Sequence, residues 1–197
     1  MNNNKQHLSY YVINGITLYR IVTAPLLLVL LFLKQYDLFK WLLAVSFFTD
    51  LIDGFLARKY KVTSILGTKL DSIGDDLTVA VAVTGLFVIF PEFIRQQKWV
   101  FIILLGLFLT QMAYAFIRYG KMTNFHTLLA KTAALLQGIF LLLTFFTGQP
   151  YLLLFYTAAI VTILELIEEI ILVYLLPEWK ANVRGLYWVL TKKKAAK

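Results

Sequence analysis

The chain has 197 residues, 60% hydrophobic and 16% aromatic but only 15% charged, where a soluble domain carries roughly a quarter charged residues. Its mean hydropathy of +0.75 over the whole length excludes a soluble core with a polar tail and implies an integral membrane protein. Cysteine is absent and the net charge is +8, which excludes disulfides, thiolate metal sites and thiol nucleophiles and leaves the placement of the positive charge to be explained.

In chain order, the opening Met1-Asn2-Asn3-Asn4-Lys5 is polar and has no cleavable-signal pattern. Six apolar runs follow, at residues 15–33, 38–58, 68–90, 99–119, 126–147 and 151–176, each near the roughly 20 residues that a membrane span needs. Runs of this length are helices, being far too long for barrel strands. Pro91 and Gly148-Gln149-Pro150 mark turns, and short connections make neighbouring spans antiparallel. Trp179, Tyr187 and Trp188 beside Lys192, Lys193, Lys194 and Lys197 predict a basic interfacial helix rather than a seventh span. No internal repeat is evident. The expected fold is an all-α membrane protein with six transmembrane helices, an N-terminal interfacial segment and a basic C-terminal interfacial helix, forming a single domain over 1–197.

With this topology, Lys34, Lys40, Arg95 and Lys98 lie on one side of the membrane and every other Lys and Arg on the opposite side. The positive-inside rule then places both termini in the cytoplasm, in a cell membrane of the bacterial inner-membrane type. The same basic face favours anionic headgroups. Orientation therefore accounts for the charge excess, and no nucleic-acid partner is expected.

Of the 11 acidic residues, Asp50, Asp53, Asp71, Asp75 and Asp76 fall within or at the ends of two adjacent apolar runs. Each carboxylate at membrane depth costs about 2.5–3.5 kcal/mol, and grouping them adds repulsion, so a positive partner is required. Asp50 and Asp53 are spaced i,i+3 and Asp71 and Asp75 i,i+4, which puts each pair on one helix face. Gly54 and Ala57 share the first sector, Gly67 and Thr78 the second. Converging carboxylates form an all-oxygen site suited to Mg²⁺ or Mn²⁺. The small residues leave room for a ligand, and Arg58, Lys59 and Lys61 follow where they can meet phosphate. Together these features read as a diphosphate site with divalent metal. The bland alternative, polar groups at helix ends, accounts for one such Asp better than for four.

The stretch Asp50-Leu-Ile-Asp53-Gly54-Phe-Leu-Ala57-Arg58, eight residues, then Gly67-Thr-Lys-Leu-Asp71-Ser-Ile-Gly-Asp75 resembles the signature of the CDP-alcohol phosphatidyltransferases, DxxDGxxAR, eight residues, GxxxDxxxD. Every signature position within 50–75 is matched. The resemblance implies that Asp50, Asp53 and Asp71 ligate two divalent cations, Mg²⁺ or Mn²⁺. It implies that Asp75 ligates one of them and acts as general base on an acceptor hydroxyl. Asp53, Gly54, Ala57, Arg58, Gly67 and Asp71 would bind the CDP moiety of CDP-diacylglycerol, and CMP would be released. A homodimer with a cytosolic active site is further implied. Asp76 lies outside the signature and is read as a neighbour that tunes Asp75.

Two other segments bear on the acceptor. Asn14-Gly15-Ile16-Thr17-Leu18-Tyr19-Arg20 resembles the Asn-x-x-Thr-x-x-Arg segment of phosphatidylglycerophosphate synthases and their relatives. Asn14, Thr17 and Arg20 are thus either positioning residues near the nucleotide or interfacial anchors. Arg118 and Lys131 flank the fourth connection, where two cations can bind an acceptor phosphate such as that of glycerol 3-phosphate. Simple positive-inside anchoring is the competing reading of Arg118. His126 reads as a helix-start polar residue more than as a base. The resemblance to glycerophosphate-using members extends to Lys131-Thr132-Ala133-Ala134 and Gln137, while Asp71-Ser72-Ile73 is similar to the Asp-Ser-Leu of serine-using members. Glycerol 3-phosphate is the expected acceptor, with serine or an inositol phosphate as alternatives. From a different class, a divalent-cation transporter would use the carboxylates but not Gly54, Ala57 and Arg58. Glu165, Glu168 and Glu169, deep in the last span, have no place in the signature. They are open to pairing with Arg118 or Lys131, to a dimer seam or to a polar cavity.

Overall fold

The computed structural model describes residues 3–60, 65–121, 123, 125, 127–180 and 183–195. Among these the chain is entirely helical and turn, without strands. The helices are α1 (Asn3–Phe32), α2 (Tyr36–Tyr60), α3 (Ile65–Ile89), α4 (Pro91–Gln96), α5 (Lys98–Tyr119), α6 (Leu128–Thr147), α7 (Leu152–Leu175) and α8 (Leu186–Ala195). They fall into two compact units, Met1–Glu92 and Phe93–Lys197.

In the first unit α1 packs against both α2 and α3, and those two also touch each other. Ala24, Leu27 and Leu31 of α1, Phe39 and Leu43 of α2, and Val81, Ala82 and Leu86 of α3 are buried. The sequence pattern predicts an interfacial segment followed by a span at 15–33; instead, α1 is one helix of 30 residues. Gly15 costs a helix only about 1 kcal/mol relative to Ala, too little to stop one, so the polar start and the apolar run Leu18–Phe32 join. Pro25 lies inside α1. Between α1 and α2 the turn is made by Lys34, whose φ is 58°.

The second unit opens with a short helix that the sequence pattern does not predict. Pro91 begins α4 rather than merely marking a turn, because its fixed φ and missing amide suit the first helical position. Phe93 of α4 packs edge-on against Phe155 at 4.9 Å and against Phe101 at 6.2 Å, and Phe140 lies 5.4 Å from Phe155. Such pairs contribute about 0.5–1.5 kcal/mol each beyond burial, and they tie α4, α5, α6 and α7 together. A second cluster of Ala115, Phe125, Leu172, Val173 and Leu176 closes the other end. Helices α5 and α6 end on Gly120 (φ 64°) and Gly148 (φ 73°), left-handed positions that a Cβ disfavours.

Lys98–Tyr119 and Leu128–Thr147 are long and apolar enough to cross a membrane. On α5 the side chains of Ile102, Ile103, Leu105, Leu109, Phe116 and Ile117 are exposed. A surface so apolar is stable against hydrocarbon, not water, and the protein is a membrane protein.

The C-terminal helix expected from the lysines and aromatics is present as α8, which packs Leu186 and Val189 against the Leu172–Val173 cluster and is tied to α7 at its amide end. Glu168 Oε1 accepts a hydrogen bond from the Leu186 backbone amide at 2.8 Å, placing a carboxylate at the helix N-terminus, where charge and dipole agree. Just before it, Gly185 has φ 144°, and a Cβ there would lie 3.0 Å from the same Glu168 oxygen. Gly185→Ala is therefore expected to combine backbone strain of about 1–3 kcal/mol with displacement of the carboxylate. Hydrogen exchange of the first α8 amides should accelerate; unchanged protection would show that this contact does not hold the helix.

Candidate active site

Helix α2 carries positions 50, 53, 54, 57 and 58, and α3 carries positions 67, 71 and 75. Both helices are continuous through these positions, so 50 and 53 lie about one turn apart, as do 71 and 75. The side chains of Asp50, Asp53, Gly54, Ala57, Arg58, Gly67 and Asp71 lie outside the described residues, as do those of Asn14 and Thr17; His126 falls outside entirely. Among the described residues no group of three His, Cys, Asp or Glu side chains is placed to hold a metal ion.

What the structure does describe centres on Asp75. Its Oδ1 accepts a hydrogen bond and ion pair from the Arg20 guanidinium of α1. The Arg20 side chain is 1% exposed and that of Asp75 is 38% exposed. A guanidinium withdrawn so far from water needs a carboxylate, since an unpaired buried charge costs several kcal/mol. Asp75 is the more exposed of the two. Of the two readings of Arg20, interfacial anchoring fails: a side chain this buried is not at a lipid surface, and it reaches the fourth signature aspartate instead.

Arg20 lies in the shallow groove at Gly74, where an added Cβ would stand 3.7 Å from its Cβ and Cζ, an ordinary contact. The next turn supports the same spot. Thr78, buried, donates its hydroxyl to the Gly74 carbonyl at 2.7 Å. Asp76 is exposed on the adjoining face.

In the second unit the glutamates of α7 have separate partners. Glu169 Oε2 accepts from the Gln111 amide of α5 at 2.7 Å and from the Thr123 hydroxyl at 3.0 Å, and Gln111 also donates to Thr123. Gln111 is buried. Glu168 serves α8. Arg118 turns to neither: its Nη2 donates to the Leu176 carbonyl at 3.3 Å, and its guanidinium lies 6.0 Å from the Tyr119 ring centre. Lys131 is exposed, and Gln137 donates to the Thr162 hydroxyl at 2.7 Å. Of the three roles left open for these carboxylates, the pairing with Arg118 is not what the structure shows: Arg118 donates to a backbone carbonyl, and Glu168 and Glu169 accept from neutral groups. Sequence reasoning does not single out Gln111, Thr123 or Gly74. Gln111 was discoverable as an amide in the middle of an apolar span, where a polar side chain must find a partner.

The family model for CDP-alcohol phosphatidyltransferase matches residues 10–175. The chain belongs to that family. Among curated proteins, a CDP-diacylglycerol–inositol 3-phosphatidyltransferase of Saccharomyces cerevisiae is 32% identical over 123 residues, covering 60% of this chain and 53% of the relative. The chain thus spans about half the length of the curated relative it matches. No solved structure matches. The family match includes α1 and therefore the Arg20–Asp75 pair as well as the signature on α2 and α3. Because the relative is a yeast protein, it lends no support to a bacterial inner membrane for this phosphatidyltransferase-family chain.

Proposed function

We propose that the protein transfers a phosphatidyl group from CDP-diacylglycerol to a hydroxyl of a small polyol, releasing CMP. The observation that carries this reading is the position of Asp75: the last residue of a complete family signature, paired with a buried arginine and itself 38% exposed. In the proposed reaction Asp75 takes the hydroxyl proton as the acceptor oxygen attacks the lipid-bearing phosphorus. The bond from that phosphorus to the CMP oxygen breaks, and the electron pair leaves with CMP.

The donor set fits divalent metal. Asp50, Asp53, Asp71 and Asp75 offer only carboxylate oxygen, on two helices that pack against each other, and carboxylates suit Mg²⁺ or Mn²⁺. When bound, two such ions would neutralise the diphosphate and the charge developing on CMP. Asp53, Gly54, Ala57, Arg58, Gly67 and Asp71 are proposed to hold the CDP moiety, the small residues by allowing close approach and Arg58 by its charge. Asn14 and Thr17 are proposed to line the nucleotide end from α1.

For the acceptor, inositol or its phosphate is supported by the activity for which the yeast relative is named. Glycerol 3-phosphate is a second reading, supported by Lys131, which is exposed and available to a phosphate. The engagement of Arg118 with a backbone carbonyl weakens the two-cation version of that idea. Purified protein in lipid nanodiscs, given CDP-diacylglycerol, Mn²⁺ and a panel of inositol, inositol phosphate, glycerol 3-phosphate and serine, should release CMP most rapidly with an inositol-class acceptor. CMP release with none of them would sink the enzymatic reading, and preference for glycerol 3-phosphate would replace the acceptor.

We further propose that α1, α2, α3, α5, α6 and α7 each cross the bilayer within a single domain over residues 1–197. Their lengths of 30, 25, 25, 22, 20 and 24 residues suffice for a core of about 30 Å at 1.5 Å per residue. Both termini and the site face the cytoplasm in this arrangement, by the distribution of Lys and Arg, and the working unit is a homodimer.

A further inference from the structure

We propose that Arg20 is a built-in counter-ion for Asp75, holding its carboxylate while no metal is bound and giving it up to an arriving divalent cation. This rests on the reading of Asp75 as a metal ligand. Three features on α1 and α3 carry it. The Arg20 side chain is 1% exposed, so its charge has been taken out of water and must be met by fixed carboxylate rather than solvent. The partner it meets is the more accessible member of the pair, at 38% exposure against 1%. And the guanidinium lies against Gly74, where an added Cβ would be 3.7 Å from its Cζ, so a side chain larger than a methyl at that position would press on it.

The physical reasoning is a competition of like charges. Aspartates grouped at membrane depth repel one another unless something positive is present. A divalent ion provides that when bound; in its absence the guanidinium does so for Asp75. Once the ion arrives, a cation of the same sign against the same carboxylate opposes its binding. Arg20 therefore stabilises the empty protein and weakens its grip on metal. A residue that merely orients a ligand would do the reverse: its loss lowers metal affinity.

The test is Mn²⁺ titration of the full chain in nanodiscs, with free ion followed by electron paramagnetic resonance and thermal unfolding measured with and without Mn²⁺. Arg20→Gln is expected to bind Mn²⁺ about 10–100-fold more tightly than wild type, the size by which a ligand's outer partner shifts affinity, and to unfold at lower temperature without metal. Gly74→Val, which fills the groove and displaces the guanidinium without removing it, should tighten binding in the same direction and serves if Arg20→Gln does not fold. Gly74→Ala, whose methyl fits in ordinary contact, should bind as wild type does. Equal or weaker Mn²⁺ binding by both Arg20→Gln and Gly74→Val overturns the proposal while leaving Asp75 as a ligand. Failure of the wild type itself to bind Mn²⁺ overturns the proposal and the metal reading together.

Discussion

Asp75→Asn is expected to lower CMP release by about 10²–10⁴-fold, the contribution of a positioned general base. Asparagine keeps the shape of the side chain and one oxygen for Arg20, but cannot accept the acceptor's proton. Its effect on folding is smaller but real: Arg20, 1% exposed, loses the charge of its partner, a change that costs several kcal/mol where a buried charge is left wholly unpaired and less here, since the asparagine oxygen still accepts its hydrogen bond. Thermal unfolding of the variant should therefore be measured beside turnover, and in the folded protein CDP-diacylglycerol binding measured by displacement should change little beside the loss of turnover. Turnover within a few-fold of wild type would remove Asp75 from the chemistry.

Withdrawal of divalent cations should have an effect as large. In excess EDTA, CMP release is expected to fall to background and to return on addition of Mg²⁺ or Mn²⁺. The reason is electrostatic: the donor carries a diphosphate and the proposed site carries Asp50, Asp53, Asp71 and Asp75, so bringing them together without intervening positive charge is strongly unfavourable. Arg20 and Arg58 alone cannot offset so many anionic groups. Sustained turnover in chelator, with acceptor present, would mean that arginine and lysine side chains suffice and that the carboxylates have another role.

Much of this architecture was legible because long apolar runs bounded by turn residues mark helices. The expected runs at 38–58, 99–119, 126–147 and 151–176 correspond to the helices α2, α5, α6 and α7 with ends shifted by a residue or two. The departures have local causes. Helix α4 appears because Pro91 starts a helix as readily as it ends one. The N-terminal segment merges with α1 because polarity alone does not terminate a helix and Gly15 is a weak breaker.

At the site, spacing located the signature aspartates because carboxylates at helical intervals in apolar runs are too costly to persist without a shared positive partner. It did not disclose which cation Asp75 meets, since Arg20 is 55 residues away and only packing of α1 on α3 joins them. Glu169 is the complementary case: its depth in α7 signalled a polar partner, but Gln111 and Thr123 come from elsewhere in the chain, and the candidate partners Arg118 and Lys131 were nearer to hand in electrostatic reasoning than in space.

Pro25 has a consequence for how α1 is held together. Lacking an amide hydrogen, it leaves the Ile21 carbonyl without its usual donor one turn later, immediately beyond Arg20. Arg20 and Thr23 are buried on the near side of that gap, and Ala24, Leu27 and Leu31 on the far side. Side-chain packing on both sides therefore does what the missing bond cannot, and the rod stays whole beside the arginine.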